Sequence, residues 1–192
     1  MLKIHDLSFS YGKKQVIQKL SLDVKKGEIV AVMGPSGCGK STLLQLVAGL
    51  LKPDSGKIET DSKRISYAFQ EPRLFPWMTV KENLRAVLPK SLEAPEQSIL
   101  HALEIVELAD SAELYPDSLS GGMKSRAALA RALVFGGDLY LLDEPFAALD
   151  EALRLRLGDR LRQEIKTRGA TAILVTHHPE DAQRLADRII TL

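Results

Sequence analysis

One loop carries glycine, lysine and serine at a spacing that suits the binding of phosphate. It reads GPSGCGKS and stands between a short apolar run and a helical pattern. Gly34, Gly39, Lys40 and Ser41 satisfy the pattern G-x-x-x-x-G-K-[ST]. Small residues let such a loop wrap so that successive main-chain N–H groups point at phosphate oxygens, and the following helix adds its positive N-terminal end. A glycine-rich turn that only caps a helix is the alternative.

The same loop supplies the charge and the metal ligand that a nucleoside triphosphate needs. Lys40 would neutralise the β- and γ-phosphates, and the Ser41 hydroxyl would ligate Mg²⁺. We expect the nucleotide to contact the whole loop and the residue after it, namely Gly34, Pro35, Ser36, Gly37, Cys38, Gly39, Lys40, Ser41 and Thr42.

Two carboxylates end a second apolar run, LYLL at 139–142. Open α/β folds bind ligands at the carboxyl edge of the sheet, so Asp143 and Glu144 are expected near the phosphate loop. Asp143 is then a partner of Mg²⁺, directly or through water, and Glu144 can polarise a water for attack on the γ-phosphate. An Asp-Glu-Pro turn at a strand end is a plausible alternative when taken alone, and the phosphate loop disfavours it.

A second anion-binding helix start is predicted at Ser120-Gly121-Gly122, ahead of a helix rich in alanine. Ser120 is a good N-cap, and two glycines leave the main-chain N–H groups unshielded. A plain capped helix start is the alternative. With two such sites and one nucleotide, two copies placed head to tail would let the second site close over the partner's γ-phosphate.

The elements that must position these residues follow from hydrophobic periodicity. Short, unbroken runs of Leu, Ile and Val are typical of a parallel sheet buried between helices. Thr79 and Glu82 form a capping-box pattern at the start of a helix. We therefore predict an α/β core with a mostly parallel sheet, an N-terminal antiparallel β part and a helical insertion at about 72–135. The predicted strands are 2–10, 15–24, 28–33, 57–60, 64–69, 139–142 and 171–176, and the predicted helices include 41–50, 96–109, 121–135 and 151–168.

Composition excludes several classes of protein. The 192 residues are 45% hydrophobic and 27% charged with a formal net charge of +1, as in a soluble globular domain without the basic surface of a nucleic-acid binder. The one cysteine allows no internal disulfide and favours a reducing compartment. The N-terminus lacks the apolar block of a signal peptide, and the apolar runs are shorter than the roughly 18 residues that a membrane span needs.

Taken together, the motifs resemble those of the ATP-binding cassette ATPases that drive membrane transporters. They occur in the family's order over nearly the whole chain, as GPSGCGKS, LSGGM at 119–123, LYLLDE and AALD. The resemblance implies a P-loop NTPase core at about 1–71 and 136–192, a helical subdomain at about 72–135 that carries the signature LSGGM, and ATP and Mg²⁺ as ligands.

Further roles follow from the resemblance alone. Gln70 matches the glutamine that senses the metal and the water, and it joins Ser41 and Asp143 as a metal partner. Tyr11 stands where an aromatic ring stacks on adenine, and His177 matches a histidine that contacts the γ-phosphate. Asp150 matches an aspartate that acts across a homodimer together with Ser120, Gly121 and Gly122. By residue type alone, Tyr11 could be a strand-end aromatic, His177 a capped surface histidine and Gln70 any polar strand terminus.

Three features depart from the family pattern. Met123 replaces the usual glutamine of the signature, and His178 follows the family histidine where aspartate is common. The chain ends at Leu192 after one more strand pattern, where many relatives continue, so a C-terminal regulatory segment is expected to be absent.

The segment QEPRLFPWM is unusually apolar for a loop, since Pro72 and Pro76 keep it from being a helix interior or a central strand. In the family this segment receives a short cytoplasmic helix of the membrane-embedded subunit. The resemblance therefore implies a permease contact. The alternative is that Phe75 or Trp77 simply packs under the helical subdomain, and we expect this for one of the four side chains. The predicted contact residues are Leu74, Phe75, Trp77 and Met78.

The resulting prediction is an Mg²⁺-dependent ATPase that powers an importer, similar to those for nitrate, sulfonate, taurine or thiamine precursors. Its expected partners are permease subunits, a solute-binding protein and a second copy of the chain, and its expected place is the cytoplasmic face of the cell membrane. The alternatives are a soluble cassette ATPase that acts on nucleic acid or ribosomes, and a nucleotide-dependent clamp that barely hydrolyses ATP. Glu144 argues against the clamp.

Overall fold

The computed structural model describes residues 1–89 and 94–192. Two sheets and six α-helices form the chain over these residues. The strands are β1 (Leu2–Tyr11), β2 (Lys14–Val24), β3 (Ile29–Met33), β4 (Ser55–Thr60), β5 (Ile65–Ala68), β6 (Leu139–Asp143), β7 (Thr171–Val175) and β8 (Arg188–Thr191). The helices are α1 (Lys40–Val47), α2 (Val80–Arg85), α3 (Pro95–Ile105), α4 (Gly121–Phe135), α5 (Glu151–Thr167) and α6 (Pro179–Leu185).

The central sheet has five parallel strands in the order β5-β6-β7-β3-β8. Every residue of β6 and β7 is buried, because helices cover one face while α1 and the second sheet cover the other. This confirms the parallel sheet that the unbroken apolar runs predicted. Since β3, β6 and β7 are neighbours, the chain segments that follow them meet at one edge.

A three-stranded antiparallel sheet of order β2-β1-β4 packs over α1 and confirms the predicted N-terminal β part. Its turn joins Tyr11 to Lys14, which are paired in the β1–β2 register. This sheet brings the start of β2 close to the phosphate loop, because a Cβ at Gly39 would lie 2.8 Å from Cγ1 of Val16.

The segment 72–135 contains α2, α3, α4 and two short 3₁₀ turns at 109–111 and 116–118, apart from residues 90–93, which lie outside the described part. The capping box is confirmed: Thr79 Oγ1 accepts a bond of 3.2 Å from the Glu82 N–H, and Glu82 Oε2 accepts one of 2.8 Å from the Thr79 N–H. Among the described residues, no helix is both long and apolar enough to cross a membrane.

The helix predicted over 96–109 ends early, at Ile105. Glu107 takes a left-handed conformation with φ of 53°, which ends the helical path. The Arg126 guanidinium of α4 donates to the carbonyls of Val106 and Glu107 at 3.0 and 2.8 Å. These bonds satisfy carbonyls that a continued helix would have used, and the sequence of α3 alone does not contain that partner.

Candidate functional site

The phosphate loop joins the end of β3 to the start of α1, and its shape depends on glycine at two positions. Gly39 has a φ of 105° and lies against Val16, so a side chain there would be strained and would clash. A Cβ at Gly34 would lie 2.8 Å from the Cys38 Sγ and 2.9 Å from the Leu192 carbonyl oxygen. The backbone can therefore wrap tightly only with the residues that the motif requires.

Lys40 is the first residue of α1, and its side chain folds back over the loop. The ammonium donates to the carbonyls of Gly34 and Pro35 at 2.8 and 3.0 Å, and the residue is only 8% exposed. An ammonium group has three donors, so one N–H remains to bond a phosphate oxygen in the loop. The positive charge is thus fixed where phosphate charge would accumulate.

A cleft of about 870 Å³ opens beside this loop, within the size range of small-molecule sites. It brings together predicted residues that are far apart in sequence, since Tyr11, Gln70, Glu144 and His177 all line it. The other lining residues are Lys14, Val16, Gly34, Pro35, Ser36, Gly37, Gly39, Lys40, Ser41, Thr42 and Val175. Cys38 is not among these residues, and its sulfur lies beside Gly34 within the loop.

Lys14 and Val16 are site residues that the sequence analysis missed. They reach the cleft because the hairpin pairs Lys14 with Tyr11, and β2 then passes directly over Gly39. The signal available in the sequence was the YGKK turn, which fixes the register of the two strands. Tyr11 itself is 51% exposed and lines the cleft, and its ring meets Phe9 edge to face at 4.9 Å.

Ser41 and Asp143, which the sequence predicted as metal partners, lie within hydrogen-bond distance of each other. The Ser41 hydroxyl donates to Asp143 Oδ1 at 2.9 Å, and Asp143 is only 3% exposed at the end of β6. Burial raises the pKa of Asp143, and the neighbouring charge of Glu144 raises it further. The hydrogen bond from Ser41 and the charge of Lys40 oppose this rise. A hydroxyl and a carboxylate beside a phosphate loop are the hard oxygen donors that suit Mg²⁺, so these residues fit that ion.

Glu144 and His177 meet at the ends of the neighbouring strands β6 and β7. His177 Nδ1 lies 2.9 Å from Glu144 Oε1, with the Glu144 side chain 10% exposed and the His177 side chain 55% exposed. Glu144 has a left-handed φ of 49°, and its N–H donates to the Val175 carbonyl at 2.9 Å. The strained backbone turns the carboxylate toward the cleft, where it can accept a proton from a water.

The second helix start lies away from the cleft of its own chain. Ser120 caps α4 as predicted, because its Oγ accepts a bond of 3.2 Å from the Met123 N–H. A Cβ at Gly122 would lie 2.8 Å from the Ala148 carbonyl oxygen, so α4 packs tightly against the segment that leads to Asp150. Asp150 caps α5 through a bond of 3.0 Å from the Leu153 N–H. Ser120, Gly121, Gly122 and Asp150 are all absent from the lining of the cleft.

The apolar loop is mostly uncovered. Phe75 and Trp77 are 40% and 70% exposed, and their rings lie 5.7 Å apart. Leu74 packs against the core under the helices, and Met78 is half-buried. The expectation that Phe75 or Trp77 packs there is wrong, since both rings are exposed. We call residues 71–78 the apolar loop below.

Asn83 shapes the apolar loop, and the sequence analysis missed it. Its fully buried amide nitrogen lies within hydrogen-bond distance of the carbonyls of Phe75, Met78 and Thr79, at 3.1, 3.0 and 2.9 Å, which share its two N–H donors. Its Oδ1 accepts a bond of 2.8 Å from the Phe75 N–H. The loop is therefore held in one conformation that presents its two rings to the outside.

Comparisons with known proteins agree with this geometry. Residues 17–147 match the family model described as ABC transporter. The aliphatic sulfonates import ATP-binding protein SsuB of Bacillus licheniformis is 41% identical over 100% of this chain and 78% of its own length. The sulfate/thiosulfate import ATP-binding protein CysA of Photorhabdus laumondii is 38% identical over 100% of this chain and 58% of its own length. The dimeric structure of a post-hydrolysis state of the ATP-binding cassette MJ0796, bound to ADP and Pi, superposes with a TM-score of 0.91 at 30% identity, covering 100% of this chain and 94% of that one.

Proposed function

The chain belongs to the ABC transporter family, and from that premise we propose how its residues bind ATP, hydrolyse it and drive a permease. It is an ATP-binding, Mg²⁺-dependent ATPase subunit that powers the import of a solute across a membrane. The cleft beside the phosphate loop is the proposed ATP site. The observation that carries this is the Ser41–Asp143 bond, which stands next to the Glu144–His177 pair at one end of that loop.

Each part of the cleft has a proposed task in binding. The N–H groups of residues 34–42, the Lys40 ammonium and the N-terminus of α1 hold the phosphates. Tyr11 stacks on the base. Ser41, Asp143 and Gln70 hold Mg²⁺, which when bound neutralises charge that develops on the phosphate oxygens.

Hydrolysis is assigned to Glu144 and its neighbours. The Glu144 carboxylate orients a water and accepts its proton. His177 donates its Nδ1–H to Glu144, since a carboxylate oxygen can only accept. The same ring lines the cleft and is proposed to contact the γ-phosphate. Gln70 lines the same cleft and reports on the water and metal to the apolar loop that follows it.

A second copy of the chain completes the site. Ser120, Gly121, Gly122 and Asp150 are proposed to contact the ATP of the partner, because they form an exposed capped helix start and lie away from their own cleft. The relative with a known dimeric structure supports this arrangement. We also propose two parts within the chain: a nucleotide-binding core at about 1–71 and 136–192 and a helical subdomain at about 72–135.

The apolar loop is the proposed permease contact. Leu74, Phe75, Trp77 and Met78 would receive a cytoplasmic helix of the membrane subunit and hold the chain at the inner face of the membrane. The names of the relatives favour a sulfonate or a related sulfur oxyanion as the solute, delivered by a solute-binding protein. Both relatives named above are import proteins, and neither name refers to nucleic acid.

Phosphate release by the purified chain tests the core of this assignment. We expect the wild type to hydrolyse ATP only with Mg²⁺ and to stop when a chelator is added. The Lys40→Ala variant should lose both nucleotide binding and hydrolysis. The transport step is tested by the uptake of a labelled sulfonate into vesicles that contain the permease. ATP is supplied on the side of the membrane where this subunit is bound. An active ATPase that supports no uptake of sulfonate or sulfate would contradict the proposed solute and leave the ATPase assignment standing.

A further inference from the structure

Within residues 1–89 and 94–192, the His177 ring has one polar contact, which is with Glu144. Its side chain is 55% exposed, and its Nδ1 meets Glu144 Oε1 at 2.9 Å. An exposed side chain pays conformational entropy to stay in one rotamer, and one hydrogen bond offsets only part of that cost. A second contact is needed if the ring is to stay in this position beside Glu144 in the cleft.

His178 supplies this second contact. Its ring lies over the His177 ring, with centroids 3.9 Å apart and planes inclined at 40°. This separation is short enough for direct ring-to-ring packing. The two imidazoles are therefore in contact, although they are neighbours in sequence and could have pointed apart.

The backbone of His178 is held on both sides of the residue. Its N–H donates to Thr176 Oγ1 at 3.1 Å, and Thr176 is only 2% exposed at the end of β7. Pro179 follows at the first position of α6 and restricts the backbone of the residue before it. The half-buried His178 ring thus projects from a fixed backbone and gives the more exposed His177 ring a surface to pack on.

The side chain of His178 does not cap helix α6, although His178 stands at the N-cap position. His178 is the N-cap of α6, where Asp, Asn or Ser would accept a bond from the first turn. In the described part of the chain its side chain makes no such bond. The imidazole is placed against His177 instead of on the helix.

We propose that His178 is a positioning residue for ATP hydrolysis, which holds the His177 ring between Glu144 and the γ-phosphate side of the cleft. This inference rests on the role of His177 proposed above. A ring at position 178 is what the role requires, whether or not that ring can carry a proton. Removing the ring should therefore affect the chemical step more than it affects the binding of ATP.

Three variants separate this role from helix capping. His178→Ala removes both the ring and any cap, His178→Asn removes the ring but adds a helix cap, and His178→Phe keeps a ring without a titratable nitrogen. We expect kcat to fall about fivefold to tenfold in the Ala and Asn variants, with KM within about twofold, as for an interaction made only in the transition state. His178→Phe should keep at least half of the wild-type kcat. The Tm of His178→Asn should equal or exceed that of the wild type, because the cap stabilises α6.

His177→Ala is measured in parallel, so that the two hypotheses can fail separately. If His177→Ala hydrolyses ATP at the wild-type rate, the proposed role of His177 is wrong and His178 has nothing to position. If His177→Ala is impaired and His178→Ala is not, the positioning role alone is overturned. A His178→Phe variant as slow as His178→Ala would overturn it as well, and so would an Asn variant whose loss of kcat is matched by a lower Tm.

Discussion

The Arg131 guanidinium donates to the main-chain carbonyl of Arg73 at 2.8 Å, and its other terminal nitrogen donates to that of Pro72 at 2.9 Å. This fork joins α4, which begins at Ser120, to the apolar loop that starts after Gln70. Arg73 is held in a left-handed conformation with φ of 46°. Burial lowers the pKa of the Arg131 guanidinium, so the contact is made in a partly dry environment where hydrogen bonds are stronger. A shift of α4 would therefore move the loop that bears Trp77.

Arg131→Lys should uncouple this loop from the nucleotide. A lysine ammonium cannot bridge two carbonyls in the geometry of the guanidinium fork. Trp77 is the chain's one tryptophan, so its emission and its quenching by acrylamide report on the apolar loop. We expect Mg-ATP to change Trp77 quenching in the wild type and to change it by less than half as much in the variant. Affinity for a fluorescent ATP analogue should stay within about twofold, a difference of roughly 0.4 kcal/mol.

Arg64→Lys is the matched control for Arg131→Lys. The Arg64 guanidinium also contacts a main-chain carbonyl of α4, that of Phe135, and lies 4.7 Å from the centre of the Phe135 ring. It anchors the end of α4 to β5 and not to the apolar loop. A wild-type response in Arg131→Lys, or an equal loss in Arg64→Lys, would show that the fork is not the link.

Glu144→Gln should bind ATP and barely hydrolyse it. The amide keeps the size of the side chain but cannot accept a proton from the attacking water. Removal of a general base costs about 10²- to 10⁴-fold in rate, and a loss in that range is expected for phosphate release. Binding of a fluorescent ATP analogue should be close to normal. Hydrolysis at the wild-type rate would refute the assigned role of Glu144.

Glu144→Gln should also convert from monomer to dimer on addition of Mg-ATP. Light scattering should then show a mass of about twice 21.1 kDa. Adding Gly121→Glu should abolish the change, because a carboxylate at this helix start repels the partner's phosphates. Apart from its chain neighbours and the backbone of its own helix, no atom of the described residues lies within 4 Å of a Cβ at Gly121, so there is room for the new side chain. Gln163→Glu, which adds the same charge at an exposed position of α5, should leave dimerisation intact.

A dimer in the Gly121→Glu double variant would argue against contact between that helix start and the partner's ATP. A monomer in the Glu144→Gln parent, with ATP binding verified, would argue against it too. The second measurement should be repeated with the permease present, since a dimer that forms only in that complex would narrow the prediction to the assembled transporter.

The phosphate site was predictable because its residues are contiguous and their geometry is set by local backbone. Lys40 and Ser41 follow from the loop and helix start, and Asp143 and Glu144 follow from the end of an apolar strand. Met123 was only a departure from the family pattern in the sequence. The structure shows its side chain packed against the core, where an apolar residue is favourable.

The contacts that sequence reasoning missed depend on segments that meet only in the folded chain. Val16 reaches the cleft through the register of a hairpin, and Arg126 ends α3 from a different helix. By its sequence Asn83 is an ordinary polar residue of a short helix, since nothing in its local pattern reveals its contacts with Phe75 and Met78 of the apolar loop. Such contacts have no periodicity or motif, and their partners are chosen by tertiary packing.

Asn83→Ala should loosen the apolar loop and destabilise the chain. The fully buried amide has four hydrogen-bond contacts, and its loss leaves main-chain groups of Phe75 and Met78 without those partners. Buried groups left unsatisfied cost about 1–3 kcal/mol, so the free energy of unfolding in urea should fall by about 2–3 kcal/mol. Trp77 should become more accessible to acrylamide. Gln97→Ala, at an exposed position of α3, serves as the control and should change neither quantity.

Cys38→Ser should leave ATP hydrolysis within about twofold of the wild type, because the proposed binding uses the main chain of the loop rather than this side chain. Cys38 is half-buried, and its sulfur lies beside Gly34 instead of lining the cleft. A maleimide adduct is different, since its bulk would push against Gly34 and keep the loop from closing on phosphate. We expect labelling to inactivate the wild type, bound Mg-ATP to slow the labelling, and Cys38→Ser to resist inactivation. Equal labelling rates with and without saturating Mg-ATP would contradict this, and a fully labelled chain that still hydrolyses ATP would show that the loop tolerates the added bulk.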